Sequence, residues 1–236
     1  MDGVIGGQKV RAMKIFGAMA LSATLAFAGA AVVARVTAAP STPAQPVRSE
    51  GEDLYHRGFY DQAIAWWTAA AAKGDSDAAY HLGVEYMDGK PNVVQRDYDT
   101  ARKYHMQAAT AGDPRSMMDI GTMYEYGLGV PVDLVQAAQW YERSANYGYG
   151  PAQYNFATLL EMGDGGRKDE VEALKFYLLA ADQGVGGVPY DRTTKRVVRG
   201  GDGPIDTLAK HLTKQQIDDA SKRAKAFKPL AGPLKL

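Results

Sequence analysis

Small and apolar residues recur at helical spacing through "PRSMMDIGTMYEY" (114–126), where Ser116, Ile120 and Tyr124 share one face with Gly121 beside them. The run "LVQAAQWYERSANYG" (134–148) repeats the period, with Ala137, Trp140, Tyr141, Ser144 and Ala145 as its stripe. Between them, "YEYGLGVPVD" (124–133) collects helix breakers. Gly127 and Gly129 tolerate positive φ, and Pro131 cannot continue a helix. Asp133 is a good N-cap, with Gln136 three residues on at the capping-box position. The pattern predicts one helix (A) ending and a second (B) starting, a helical hairpin.

The hairpin recurs. Gly74, Gly112, Gly148 and Gly184 lie 38, 36 and 36 residues apart. The same intervals separate Ala63, Ala101, Ala137 and Ala173, and the aromatics Trp66, Tyr104, Trp140 and Phe176. Asp97, Asp133 and Asp169 repeat as the N-cap before helix B, and Glu172 completes a second capping box with Asp169. "MGDGGRKD" (162–169) and "MDGKPNVVQRD" (87–97) are further copies of the turn, and "LYHRGFYDQAIAWW" (54–67) has a shorter one at Gly58. One hairpin cannot bury both faces, whereas stacked hairpins can. The expected fold is all-α: a right-handed α-solenoid of about four helix-hairpin repeats with a C-terminal capping helix. A Gly-rich, unpatterned stretch (184–204) precedes that cap. Residues 205–229 return to helix, with a capping box at Thr213 and Gln216 and with Ile217, Ala220, Ala224 and Phe227 at helical spacing.

"AYHLGVEY", "SMMDIGTMYEYGLGV" and "QAAQWYERSANYG" together resemble the Sel-one-like repeat family, relatives of the tetratricopeptide repeats. The resemblance covers residues 51–184, and the closing "LTKQQIDDASKRAKAFKP" is similar to the tail of bacterial members. It implies a superhelical adaptor that binds other proteins, in bacteria often in the periplasm or secreted, with helix A lining the concave face. The chain departs from the cysteine-rich branch of that family, because it contains no cysteine.

Composition adds a compartment and a polarity. The absence of cysteine excludes disulfides, thiolate metal sites and a lipidated cysteine. Lys9, Arg11 and Lys14 precede an uncharged run, Ile15–Ala34, followed by "VTAAP". This basic, apolar, small order predicts a signal peptide over 1–38, with a possible true start at Met13. An uncleaved membrane anchor is the competing reading, since the run is about long enough to span a bilayer. Both export the body, to the periplasm or the exterior. Residues 39–50 read as a flexible linker, 51–189 as the repeat solenoid, and 190–236 as a loop and basic capping helix. Charge divides unevenly: 12 Lys/Arg against 21 Asp/Glu over 39–189, a net of −9, then 11 against 5 over 190–236, a net of +6.

No catalytic constellation emerges. Ser-x-x-Lys and Lys-Thr-Gly are missing, and "SAN" (144–146) lies at packing positions inside a helix. "GVGG" (184–187) follows a helix rather than a strand, and Pro189 stands where a dinucleotide fingerprint needs its third glycine. His81 and Glu85 are four apart on helix A, and two ligands alone read as a surface pair. No metal, cofactor or nucleic acid is expected. Opposite the core stripe of helix A, the repeat interval yields three ladders: Tyr80, Met118, Tyr154; Val84, Thr122, Thr158; and Met87, Glu125, Glu161. His81, Asp119, Asn155 and Tyr126 flank them. An aromatic and methionine strip edged with acid suits a protein partner, one with basic character. The expected function is a non-enzymatic adaptor or regulator. Alternatives are a β-lactam or cell-wall amide hydrolase of the cysteine-rich type, which lacks a nucleophile–base pair here, and a structural envelope protein whose basic tail meets anionic lipid or glycan.

Overall fold

In a computed structural model of the chain, residues 49–186, 190–191, 196–197 and 203–234 are described. They lie within one unit, Pro46–Leu236. The signal peptide or anchor and nearly all of the linker fall outside the described residues.

Four helix pairs form the body: α1 (Glu50–His56) with α2 (Tyr60–Ala71), α3 (Ser76–Asp88) with α4 (Tyr98–Thr110), α5 (Pro114–Tyr126) with α6 (Leu134–Asn146), and α7 (Gly150–Met162) with α8 (Glu170–Asp182). Each helix packs on the next in sequence, so the core grows one layer at a time, as in an α-solenoid. Two-residue strands β1 (Tyr190–Asp191) and β2 (Arg196–Val197) pair antiparallel inside the stretch read as an unpatterned loop. A short helix α9 (Pro204–Ala209) precedes α10 (Lys214–Ala226), which lies on α8 and closes the last repeat.

The turns work by one rule. The amide of each helix-B N-cap donates to a carbonyl near the end of helix A: Asp97 to Tyr86, Asp133 to Tyr124 and Asp169 to Leu160, at 2.8–2.9 Å. The aspartate side chains then accept the next amides, Val135 and Gln136 at Asp133, and Glu172 at Asp169. This corrects the expected capping boxes at Asp133 and Asp169. The N-cap amide is already bonded to the preceding helix, so Gln136 and Glu172 have nothing to reach back for. The reciprocal boxes among the described residues are Ser49–Glu52 and the expected Thr213–Gln216.

Packing turns on a ladder one residue beyond the aromatic series in the sequence. Trp67, His105, Tyr141 and Tyr177 repeat at 38, 36 and 36 and are no more than 3% exposed. A Cβ added at Gly51, Gly83 or Gly121 would collide with the ring of Trp67, His105 or Tyr141 respectively. Small residues in helix A therefore seat the rings of helix B. In the outer series, Trp140 and Phe176 are buried, while Trp66 and Tyr104 are half-buried.

The tail beyond α10 has its own role. The Leu230 amide donates to the Asn146 carbonyl at 2.8 Å, and Leu234 to Thr110 at 3.0 Å. Leu234 packs against the cluster of Ala109, Met117, Ile120 and Trp140. The chain thus runs back over the C-terminal ends of α6 and α4, whose last carbonyls lack partners inside their own helices.

Candidate functional site

Helices α3, α5 and α7 carry every position singled out in the sequence. Tyr80, Met118 and Tyr154 are half-buried, each with part of its surface against a core cluster. Tyr154 lies edge-on to Tyr177 at 5.2 Å. Tyr80 takes the Arg115 guanidinium over its ring at 3.9 Å and meets His81 and His105 edge-on. Burial pushes the Tyr80 hydroxyl up to about 12, with the Asp119 charge adding to it. Val84, Met87 and Asn155 are half-buried, and Tyr126, at the end of α5, is exposed.

The structure brings two pairs together in one pattern. The Tyr141 hydroxyl lies 3.1 Å from Thr122 Oγ1 and donates to Glu125. Thirty-six residues on, the Tyr177 hydroxyl lies 3.1 Å from Thr158 Oγ1 and donates to Glu161 at 2.8 Å. In both repeats a tyrosine from helix B fixes a threonine and a carboxylate one turn apart on helix A. Tyr141 and Tyr177 belong to this arrangement; the sequence reading placed Tyr141 in the packing stripe alone and did not single out Tyr177. The repeat interval could have revealed them, because both members of each pair translate by the same step.

Two candidates are more enclosed than expected. Thr158 is buried beneath Tyr177, and Asp119, placed on the flank by its helical angle, is only 8% exposed. Asp119 Oδ2 lies 3.8 Å from His105 Nδ1, and that nitrogen is 3.3 Å from Ser116 Oγ. Burial pushes the Asp119 carboxyl up to about 7, helped by the charges of Asp113 and Asp88 and opposed by Arg115. Burial pulls His105 down to about 4, against the Asp113 charge and the Gly83 backbone. Between those values the pair is neutral: protonated carboxyl, unprotonated imidazole.

His81 does not pair with Glu85, which is buried. Its ring stacks on Trp67, 4.6 Å between centroids and 8° from parallel, and its Nε2 faces Glu52 and Asp77. Arg115, also unrecognised in the sequence, bridges Asp77 and Asp113 and so links helix α3 to the start of α5.

Comparison with known proteins places the chain. The Sel1 repeat model matches residues 54–75, 76–113, 114–149 and 150–185. The chitin synthase regulator SKT5 of Saccharomyces cerevisiae is 34% identical over 83 residues, 35% of this chain and 12% of that protein. The ERAD-associated E3 ubiquitin-protein ligase component HRD3B of Arabidopsis thaliana is 32% identical over 85 residues, 36% of this chain and 14% of the relative. The match thus spans about an eighth of the length of these curated relatives. Among solved structures, a Sel1 repeat protein from Oxalobacter formigenes superposes with a TM-score of 0.52 at 28% identity, over 56% of this chain and 52% of that one. With four consecutive repeat matches over more than half its length, and the hairpin geometry to go with them, the chain belongs to the Sel1 repeat family.

Proposed function

We propose that this protein is a non-enzymatic protein-interaction module, an adaptor or regulator of the bacterial envelope, that holds an extended partner segment of basic character across α3, α5 and α7. The observation that carries this reading is the repeated Tyr–Thr–Glu arrangement. Glu125 and Glu161 are each held by a helix-B tyrosine, so two carboxylates stand in the same pose one repeat apart. Two acceptors held at a fixed separation lower the ordering cost of binding a segment with matching spacing. Half-buried Tyr80, Met118 and Tyr154 lie on the same three helices and suit the apolar side chains of such a segment. The family supports the class, since the relatives bear the names of a regulator and of a ligase component. The envelope location rests on the basic–apolar–small order of residues 9–39. The test is a cross-linked pull-down from an envelope fraction, identified by mass spectrometry, with wild type beside a Glu125→Lys/Glu161→Lys variant. A partner captured by wild type and lost from the folded variant supports the reading. Equal capture by both overturns it.

A further inference from the structure

Glu52, Asp77 and His81 come from two helices and converge on one point. Their facing ligand atoms all lie within 4.8 Å of one another. His81 Nε2 is 3.7 Å from Glu52 Oε1 and 3.5 Å from Asp77 Oδ2. Both distances exceed a hydrogen bond, and this nitrogen is buried with no hydrogen-bond partner. They are close to the edges of a coordination tetrahedron instead. Ligands about 2.0–2.1 Å from a zinc ion sit roughly 3.3–3.5 Å apart.

The surroundings orient all three groups. Each carboxylate has its outer oxygen occupied and its inner oxygen turned to the histidine. Glu52 Oε2 accepts the Ser49 amide at 2.9 Å, and Asp77 Oδ1 accepts Arg115 at 2.6 Å. The imidazole plane is set by its stacking on Trp67. Such outer partners are what fix the ligands of metal sites. Arg115 also brings a positive charge close, which weakens the attraction for a cation. It is shared with Asp113, so the two inner oxygens remain net acidic.

We propose that Glu52, Asp77 and His81 form a three-ligand site for a divalent transition metal, zinc above all, with water completing the tetrahedron. One imidazole and two carboxylates suit such an ion better than calcium, which takes oxygen ligands alone. The side chains of Glu52 and Asp77 are 30% and 45% exposed, which leaves room for the water and a route of entry. The metal would clip α1, a helix of seven residues at the end of the stack, onto α3. The site shares His81 with the flank of the partner-binding strip but does not rest on that reading, and either can fail alone.

The test is titration of EDTA-stripped, dialysed full chain with zinc chloride, followed by calorimetry and by thermal unfolding. We expect one zinc per chain and a rise in melting temperature with zinc. Excess EDTA should reverse both effects. Glu52→Gln is the discriminating variant. Glutamine still forms the capping box with Ser49, so α1 stays capped while a charged ligand is lost. It should bind zinc at least about tenfold more weakly, and His81→Ala should lose the site, both with unchanged helical spectra. No zinc binding by wild type overturns the proposal, as does binding of unchanged strength in Glu52→Gln, which would assign the ion to other residues.

Discussion

Asp119 and His105 show how one buried pair can hide its own pH dependence. Folded, the Asp119 carboxyl keeps its proton to about 7, against 3.8 when unfolded. The native state therefore binds the extra proton between those values, and this group makes stability fall as pH rises across the window. His105 does the reverse: about 4 folded and 6.5 unfolded, so its contribution rises with pH between them. The slopes oppose each other, so the contributions of these two groups largely cancel in wild type. Asp119→Asn removes the falling slope. Its stability relative to wild type should climb with pH across the window, by at most about 1.4 kcal/mol per pH unit, as read by denaturant titration. A constant difference would show that the carboxyl ionises as if at the surface. The sequence could place Asp119 on its helix by angle, but a helical wheel carries no information on how far the next hairpin reaches over it.

At the level of the element, the contact between helix A and helix B is a ring seated on backbone. In Gly121→Ala the new Cβ meets the ring of Tyr141 and the Ala137 carbonyl, neither of them the loose end of a flexible chain. Alanine gains about 1 kcal/mol in helix propensity, while overpacking costs about 1–3 kcal/mol, so net destabilisation is expected in chemical unfolding. Neutral or higher stability would mean that the ring can shift at no cost. Trp140 is 6% exposed, packed with Met117, Ile120 and Leu234 and covered by Arg143 at 4.5 Å. Trp140→Ala should cost about 3–5 kcal/mol through the cavity left between hairpins. A loss under about 1 kcal/mol would show that the gap collapses freely. The glycine and alanine series were legible in the sequence because every repeat makes the same two demands, a positive φ at the turn glycine and a side chain small enough for close helix contact at the alanine. The inner ring ladder was harder to see, since tryptophan, histidine and tyrosine fill one position with no shared chemistry.

For the whole molecule, stacking makes the stability of each repeat depend on its neighbours, and it aligns equivalent side chains into rows. If the row on α3, α5 and α7 holds a partner, Tyr154→Ala should weaken binding by about thirtyfold, corresponding to about 2 kcal/mol for an aromatic anchor. Glu125→Lys or Glu161→Lys alone should slow association and alter its salt dependence, and the two together should abolish capture of the partner. Circular dichroism is the control for Tyr154, because its ring also packs on Tyr177. Normal binding by all three folded variants would move attention to the basic helix α10. Export is tested separately. A mature N-terminus near Ala39 in the periplasmic or culture fraction is expected, and an intact N-terminus in a salt-resistant membrane pellet would establish an anchor instead.

The sequence by itself determined the number of hairpins, the places where they turn and the all-α class. Each of these rests on local chemistry: helical periodicity, glycine where φ turns positive, proline where a helix stops and aspartate where the next one starts. It also marked the rows on helix A, because a constant repeat interval translates any position into the next layer. Only the tertiary structure decided what meets across layers and from remote parts of the chain. Glu52 joins Asp77 and His81 from a separate helix, Arg115 reaches back 38 residues to Asp77, and Leu234 returns to Thr110. Such contacts follow from side-chain reach and from the angle between stacked hairpins, and neither is encoded in the spacing of residues along one helix.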